Sequence, residues 1–418
     1  MTTDKKDRIP NAPDLRFPEF RGEWKVSTIG DCFELYSGNT PSRLDKENFI
    51  GDVNWITSGE LKEHYIGDTK EHISEDVAKE NNLKLVPVGT FVIAIYGLEA
   101  EGIRGTGSIT TKKSTISQAC MAFTPKGEIT NEFLYSWYKK HGNVIGTKYA
   151  QGTKQQNLSY DIIEKFKIHF PTVQEQDKLN RFISLLDERI STQSRAIEKL
   201  QSLMSAIVEM ALCKQVLRFP PFITSWKKTK LGELGYFIRG LSYDNNLVVD
   251  DDSQTLVVRS NNINSGKEIN LDSDVVFVSK SPDDEQILRK DDIVFCMANG
   301  SSVLVGKNSY YNGGYNGTIT IGIFCGIYRG QSKLTRWILC SSEYQRAIFN
   351  LMQGGNGAIA NLKGNDILNL SFKYPTENEE ESKLVSLLSA IDTKIRNEEQ
   401  LLKYYQTQKQ HLLKQMFI

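Results

Sequence analysis

Leu15-Arg16-Phe17-Pro18, followed by Phe20 and Trp24, returns as Leu217-Arg218-Phe219-Pro220, followed by Phe222 and Trp226. Each of these pairs is offset by 202 positions. The register continues inward: Ile29-Gly30 matches Leu231-Gly232, and Gly38 matches Gly240. Later, Asn157-Leu158 with Asp161-Ile162 answers Asn361-Leu362 with Asp366-Ile367, and Pro171 answers Pro375, so the offset has drifted only to 204 or 205. Short loop insertions separate two copies of one plan. Such a duplication predicts a pseudo-twofold molecule that offers two similar partners equivalent seats or reads two segments of one target.

The 418 residues are 39% hydrophobic and 24% charged, the composition of an ordinary globular chain with room for several cores. No apolar run approaches the roughly 18 residues of a membrane span, and the start MTTDKKDRIP has no apolar signal core. A cytoplasmic location is expected. Six cysteines (32, 120, 213, 296, 325 and 340) lack C-x-x-C spacing, so reduced thiols are expected rather than disulfides or zinc. Fifty-one basic residues balance fifty-one acidic ones, which disfavours a polycation that coats nucleic acid unaided but leaves room for a local basic face.

Each copy reads as an irregular β-rich part followed by a helix. Strand-like runs cover 90–96, 119–123 and 165–170 in the first copy, and 292–297, 318–324 and 370–374 in the second. Shorter helices are expected around 130–141 and 333–351. After Pro171, Leu179, Leu186, Gln193, Leu200 and Ile207 recur every seven residues, beside Ile183, Ile190, Ile197, Met204 and Ala211. After Pro375 the pattern returns as Leu384, Ile391, Glu398, Tyr405 and Leu412 beside Leu388, Ile395, Leu402, Lys409 and Met416. Alternating spacings of three and four define a coiled-coil seam. The first helix runs from one globule into the other and the second heads back, so the pair is expected to be antiparallel. Gln193 and Glu398 either set its register or are solvated.

The expected fold class is therefore α+β: two similar globules separated by an antiparallel pair of long coiled-coil helices, with pseudo-twofold organisation. The corresponding boundaries are an N-terminal segment 1–23, a first globule 24–171, a central helix 172–215, a second globule with its leading linker 216–375, and a distal helix 376–418.

Chemistry is not signalled. The chain has no G-x-x-x-x-G-K-[ST] phosphate loop, no G-x-G-x-x-G after a strand, no H-E-x-x-H and no N-P-P-[FY]. Gly102 to Gly107 reads as a turn-rich loop, and Asp250-Asp251-Asp252 as a solvated one. Recognition or scaffolding is the reading that remains.

The duplicated plan, the Trp24-to-Gly38 stretch WKVSTIGDCFELYSG, Gln151-Gly152-Thr153 with Asn157-Leu158, and the helices after Pro171 and Pro375 together resemble the specificity subunit of type I restriction–modification enzymes. The likeness covers the whole chain. It implies that each globule is a target recognition domain reading one half of a split double-stranded DNA target. It also implies that the helices fix the separation of the halves and seat two methyltransferase subunits, with restriction/translocase subunits joining them. This chain would itself be non-catalytic and hold no cofactor; S-adenosylmethionine, ATP and magnesium would belong to the partner subunits. Gly354-Gly355-Asn356-Gly357-Ala358 stands where the first copy has Gly152-Thr153-Lys154-Gln155-Gln156, so an asymmetric target is expected.

Base- or phosphate-contacting candidates are Ser58, Glu60, Tyr96, Arg104, Lys112, Lys113, Lys154 and Gln155 in the first copy. In the second they are Arg259, Asn261, Asn262, Asn299, Lys307, Asn316 and Asn356. Arginine and lysine suit guanine or phosphate, asparagine and glutamine suit adenine, and Glu60 suits the cytosine amino group; each is equally compatible with a solvated loop position. Two other readings fit: a portion of a fused restriction–methylation enzyme, and an interaction scaffold that binds no DNA.

Overall fold

The computed structural model describes residues 10–100, 102–152, 156–353 and 360–418. They form two compact units, one of residues up to 194 together with 400–418, the other of residues 195–399. Both are α+β, as expected from the sequence.

In the first unit, Lys25–Thr28 pairs antiparallel with Lys167–Phe170. A five-stranded sheet follows the order Phe33–Ser37, Cys120–Pro125, Phe91–Ala94, Gly107–Thr110, Tyr65–Ile66. A third sheet places Val53–Ile56 between His72–Ile73 and Ser114–Ile116, the latter pairing parallel. The second unit repeats this plan. Lys227–Lys230 pairs with Ser371–Tyr374, and the next sheet runs Gly235–Arg239, Cys325–Gly330, Ile293–Cys296, Asn308–Tyr310. Its third sheet has Thr255–Val258 between Val276–Val278 and a parallel Ile319–Ile321. The duplication read from matched residues is thus a duplication of topology. The matched glycines have one job: a Cβ on Gly38 would overlap the Ile116 carbonyl, and a Cβ on Gly240 the Gly322 carbonyl.

Two expected elements are cut differently. The run 318–324 stops as a strand at Ile321, because Gly322 turns the chain. The helix expected at 333–351 is two, Thr335–Ile338 and Ser342–Gln353, whereas its counterpart Asn131–Tyr149 is continuous and longer than expected.

The long helices span Val173–Val208 and Asn378–Met416, 36 and 39 residues. In each unit, half of one lies antiparallel to half of the other. In the first, Asp187 meets Lys409 and Arg189 Nη2 donates to Tyr405 Oη (2.7 Å). In the second, Gln201 Nε2 donates to Glu399 Oε1 (3.1 Å). The heptad positions are enclosed to different degrees. Leu179 and Ile183 are buried in the core of the first globule with Leu413, Met416 and Phe417, and Leu186 and Leu412 pack on it. Leu384 and Leu388 are buried with Val208, Ala211 and Leu212 in the second, with Met204 and Ile207 against them. Ile197 and Ile395 are buried, while Ile190, Leu200, Ile391, Leu402 and Tyr405 are half-buried. The ends of the apolar stripe therefore belong to the globular cores, and its middle lies along the helices.

A buried ion pair joins each leading segment to its long helix. Arg16 Nε and Nη2 donate to the two oxygens of Glu175, both at 2.7 Å, and Arg218 makes the same fork to Glu380, both at 2.8 Å. The carboxylates are 2% and 1% exposed. Trp226 Nε1 adds a third donor to Glu380 at 3.0 Å. Two parallel hydrogen bonds fix both distance and angle, so the repeated Leu-Arg-Phe-Pro motif anchors the first turn of each helix.

A second anchor is confined to the first unit. The His64 ring stacks between Tyr65 and Tyr135, with centroids 4.1 and 4.0 Å away. Its Nε2 lies 2.9 Å from Glu132 and its Nδ1 3.5 Å from Asp187, which also binds Lys409. Burial, the largest single influence, pushes the His64 pKa down, but the hydrogen bonds and charges of Asp187 and Glu132 outweigh it and the pKa stands above its ordinary value.

Removing one partner of a buried pair strands a charge. Arg218→Ala should therefore destabilise the second unit by about 3 kcal/mol, at the lower end of the range for such pairs, measured as a fall in the urea midpoint; an unchanged midpoint would refute the anchoring role. For His64, the raised pKa means that its stabilisation is complete below the unfolded value of about 6.5 and is lost as pH rises through the folded one. Lys139 acts oppositely at higher pH, because burial pushes its pKa down to about 8. Above about pH 6.5, His141 and His169, whose burial pushes their pKa values down, no longer change the balance. There the melting temperature should therefore fall as pH rises through the His64 pKa, and His64→Gln should flatten that slope.

Candidate nucleic-acid interface

Three equivalent hydrogen bonds gather the variable loops of each globule at one end of its sheets. In the first, Ser117 N donates to Ile56 O, Ile95 N to Ala119 O and Leu158 N to Ile95 O, all at 2.9 Å. In the second, Gly322 N donates to Val258 O (2.9 Å), Met297 N to Phe324 O and Leu362 N to Met297 O (both 2.8 Å). The turn after Ile56, the loop after Ile95, the tip 117–119 and the segment before Leu158 therefore emerge side by side, and so do their counterparts. This clustering matters because several loop tips on a rigid sheet end can enter one groove together.

Several expected contact residues lie here. Ser58 is half-buried and Tyr96 exposed; Arg104 is half-buried and its Nη2 donates to Gln156 Oε1 at 2.7 Å, tying two loops together. In the second globule Asn261 is exposed, Arg259 Nη2 donates to the Asp274 carbonyl (2.9 Å), and Asn299 Nδ2 reaches Ser260 Oγ (3.4 Å). Lys307 is half-buried beside this strand end. The cations Lys112 and Lys113 and the exposed Asn316 do not join them: they precede Ser114–Ile116 and Ile319–Ile321, at the far end of those short parallel strands. Lys112 pairs with Asp68 at 2.6 Å on the surface, an interaction weak enough for a phosphate to replace. Lys154, Gln155 and Asn356 lie outside the described residues.

Two of the expected contact residues are engaged by the fold itself. Asn262 is 1% exposed, and its side chain is spent on the fold: Oδ1 accepts from Arg259 N (2.8 Å), while Nδ2 donates to the carbonyls of Asn270 (3.0 Å) and Ser273 (2.9 Å). Glu60 is used in the same way, accepting from Thr57 N (3.0 Å), Thr57 Oγ1 (2.7 Å) and Lys70 N (2.7 Å). Both close a short helical turn by reaching back to the residue before it, so the Asn262 amide has no free edge and most of the acceptor capacity of Glu60 is used within the turn.

Other exposed groups at the same sheet ends escaped the sequence reading. Gln118 tips the first globule; Ile323 and Phe324, 55% and 65% exposed, tip the second. Arg239 and Lys363 line a cleft of about 340 Å³ beside Phe324. The offset between copies passes from 201 at Ile109 and Tyr310 to 205 at Ser117 and Gly322. The main change of chain length therefore lies in the connection before Ser114 and Ile319, at the far end, and gives no pointer to these tips. Among the described residues, no group of three or more His, Cys, Asp or Glu is placed to hold a metal, and no helix is long and apolar enough to cross a membrane.

Residues 21–202 match the family model described as the type I restriction modification DNA specificity domain. The chain is 28% identical over 185 residues to the MjaIX specificity subunit of Methanocaldococcus jannaschii, covering 43% of this chain and 42% of that one. It is 29% identical over 194 residues to the EcoKI specificity subunit of Escherichia coli, covering 43% of this chain and 40% of that one. The matches thus span less than half the length of these relatives. In fold, the likeness to the solved S subunit from M. genitalium covers 97% of this chain and 99% of that chain, with a TM-score of 0.59 and 17% identity. Residues 21–202 are thus similar to the type I restriction modification DNA specificity domain, and the chain shares over its length the fold of a solved S subunit.

Proposed function

We propose that this chain is the non-catalytic, sequence-reading subunit of a type I restriction–modification complex. The loop end of each globule reads one half of an asymmetric bipartite DNA target, the first within residues 24–171 and the second within 216–375. The helical segments 172–215 and 376–418 set the unread spacer and seat two methyltransferase subunits. Restriction/translocase subunits complete the assembly, and S-adenosylmethionine, ATP and magnesium are bound by the partners.

The observation that carries this reading is the pair of loop clusters, built on equivalent hydrogen bonds but tipped with different side chains. Gln118-Ala119 stand where the second copy has Ile323-Phe324, and Tyr96 where it has Ala298. Equivalent scaffolds with different tips suit two different half-sites, because base edges discriminate through the side chains that reach them. Tyr96, Arg104, Asn261 and Asn299, with Ser58, Arg259 and Lys307 beside them, are the base-facing group in this reading. Lys112, Lys113 and Asn316 hold backbone phosphates.

Replacing residues 24–171 with the matching segment of a relative of different specificity should change one half of the methylated sequence and leave the other intact. Single-molecule sequencing of DNA from cells expressing the chimaera with its methyltransferase measures this, and a change in both halves would refute independent reading. Mass measurement of the co-expressed complex should show two methyltransferase subunits per chain; a stable 1:1 species at saturating partner would contradict the docking role.

A further inference from the structure

The two units fill one position differently. In the first, His64 and Tyr65 occupy the space between globule and long helices, the imidazole stacked between Tyr65 and Tyr135 with its Nδ1 3.5 Å from Asp187. Backbone hydrogen bonds identify the counterparts. Ile109 N donates to the His64 carbonyl (2.8 Å) and Tyr310 N to the Lys267 carbonyl (3.1 Å). Ile109 and Tyr310 hold equivalent strand positions, opposite Phe91 and Ile293. His64 therefore corresponds to Lys267, and Tyr65, which pairs with Ile109, to Glu268, which pairs with Tyr310.

This substitution leaves a space. The Lys267 side chain is 62% exposed and lies 3.4 Å from Glu399; Glu268 lies 3.9 Å from Arg396. Beside them is an open cavity of about 500 Å³, within the usual range for small-ligand sites. Trp337 and Tyr310 line it with Met204 and Ile395, and so do two carboxylates, Asp392 and Glu399. Asp392 Oδ2 is held by Arg336 and Arg396, and Glu399 Oε1 by Gln201 and Lys267, so the second oxygen of each is the acceptor a ligand would use. Asp392 is the counterpart of Asp187, offset by 205, the aspartate that holds the imidazole in the first unit.

We propose that this cavity binds a planar aromatic group carrying a hydrogen-bond donor (an indole, a phenol or an imidazole), free or as the side chain of a peptide. The ring lies among Trp337, Tyr310, Met204 and Ile395, taking the place of the first unit's His64–Tyr65 pair, and its donor faces the carboxylates. Ring stacking and burial of an apolar face supply the attraction, and the acceptors select rings with a polar edge. The site is independent of what the globules read.

The test uses the full chain with indole and N-acetyl-tryptophanamide as probes, followed by calorimetry and saturation-transfer NMR. Saturable binding of at least one probe is expected. The double variant Lys267→His/Glu268→Tyr, which supplies the first unit's own rings, should weaken it by at least about tenfold. Ser205→Trp fills the cavity from an exposed helix position and should do the same, so the test survives if the double variant does not fold. Tighter binding of the amide than of free indole would assign the site to a peptide side chain, and the reverse order to a free compound. Absence of saturable binding by either probe, or binding unchanged in a folded filled variant, would overturn the proposal.

Discussion

Two carboxylates kept out of water, Glu175 and Glu380, are the constraint on which each half of the molecule is built. A buried carboxylate is costly unless its charge is matched and its oxygens are hydrogen-bonded. Here one arginine fork satisfies both oxygens, and it does so only if the leading segment crosses the first turn of the long helix at one distance and angle. Thr130 N donates to Gln176, and the hydroxyl of Ser332 to Glu381, extending the same arrangement to the shorter helices. Leading segment, closing strand and helix start become one rigid piece, from which the sheets and their loops are held.

With that frame duplicated, the two loop clusters carry different side chains on the same main-chain hydrogen bonds. The hydrogen bonds that gather the loops run between main-chain groups at 56, 95, 117–119 and 158, and at their counterparts, so they persist whatever side chains the loops carry. Tips can change from glutamine and alanine to isoleucine and phenylalanine while the sheet end stays in place.

The halves are not mechanically identical. Asp187 is held by a histidine and a lysine, Asp392 by the permanently charged Arg336 (2.7 Å) and Arg396 (3.3 Å). Arg336 also lies over the Tyr310 and Trp337 rings. One half thus joins its globule to the helices through an imidazole, whose pKa is raised by the carboxylates beside it, and the other through guanidinium groups. Equivalent backbones have admitted two different electrostatic solutions, an imidazole stacked between two tyrosines in one half and a guanidinium over Tyr310 and Trp337 in the other.

By itself the sequence determined the duplication, the fold class and the long helices. The matched Leu-Arg-Phe-Pro motifs and seven-residue spacing survive because each is a local pattern under a repeated packing demand. The Gly38–Gly240 match was legible for the same reason: each glycine answers one backbone overlap. Tertiary structure alone decided what the polar loop residues do. Asn262 and Glu60 have the composition of base readers, yet their hydrogen bonds go to backbone groups up to 11 residues away in sequence. Ile321-Gly322-Ile323-Phe324 reads as strand, but the turn at Gly322, packed against Gly240, puts the last two side chains into solvent. A side chain's capacity to bond is written in its chemistry; whether that capacity is free depends on which distant groups the fold brings beside it.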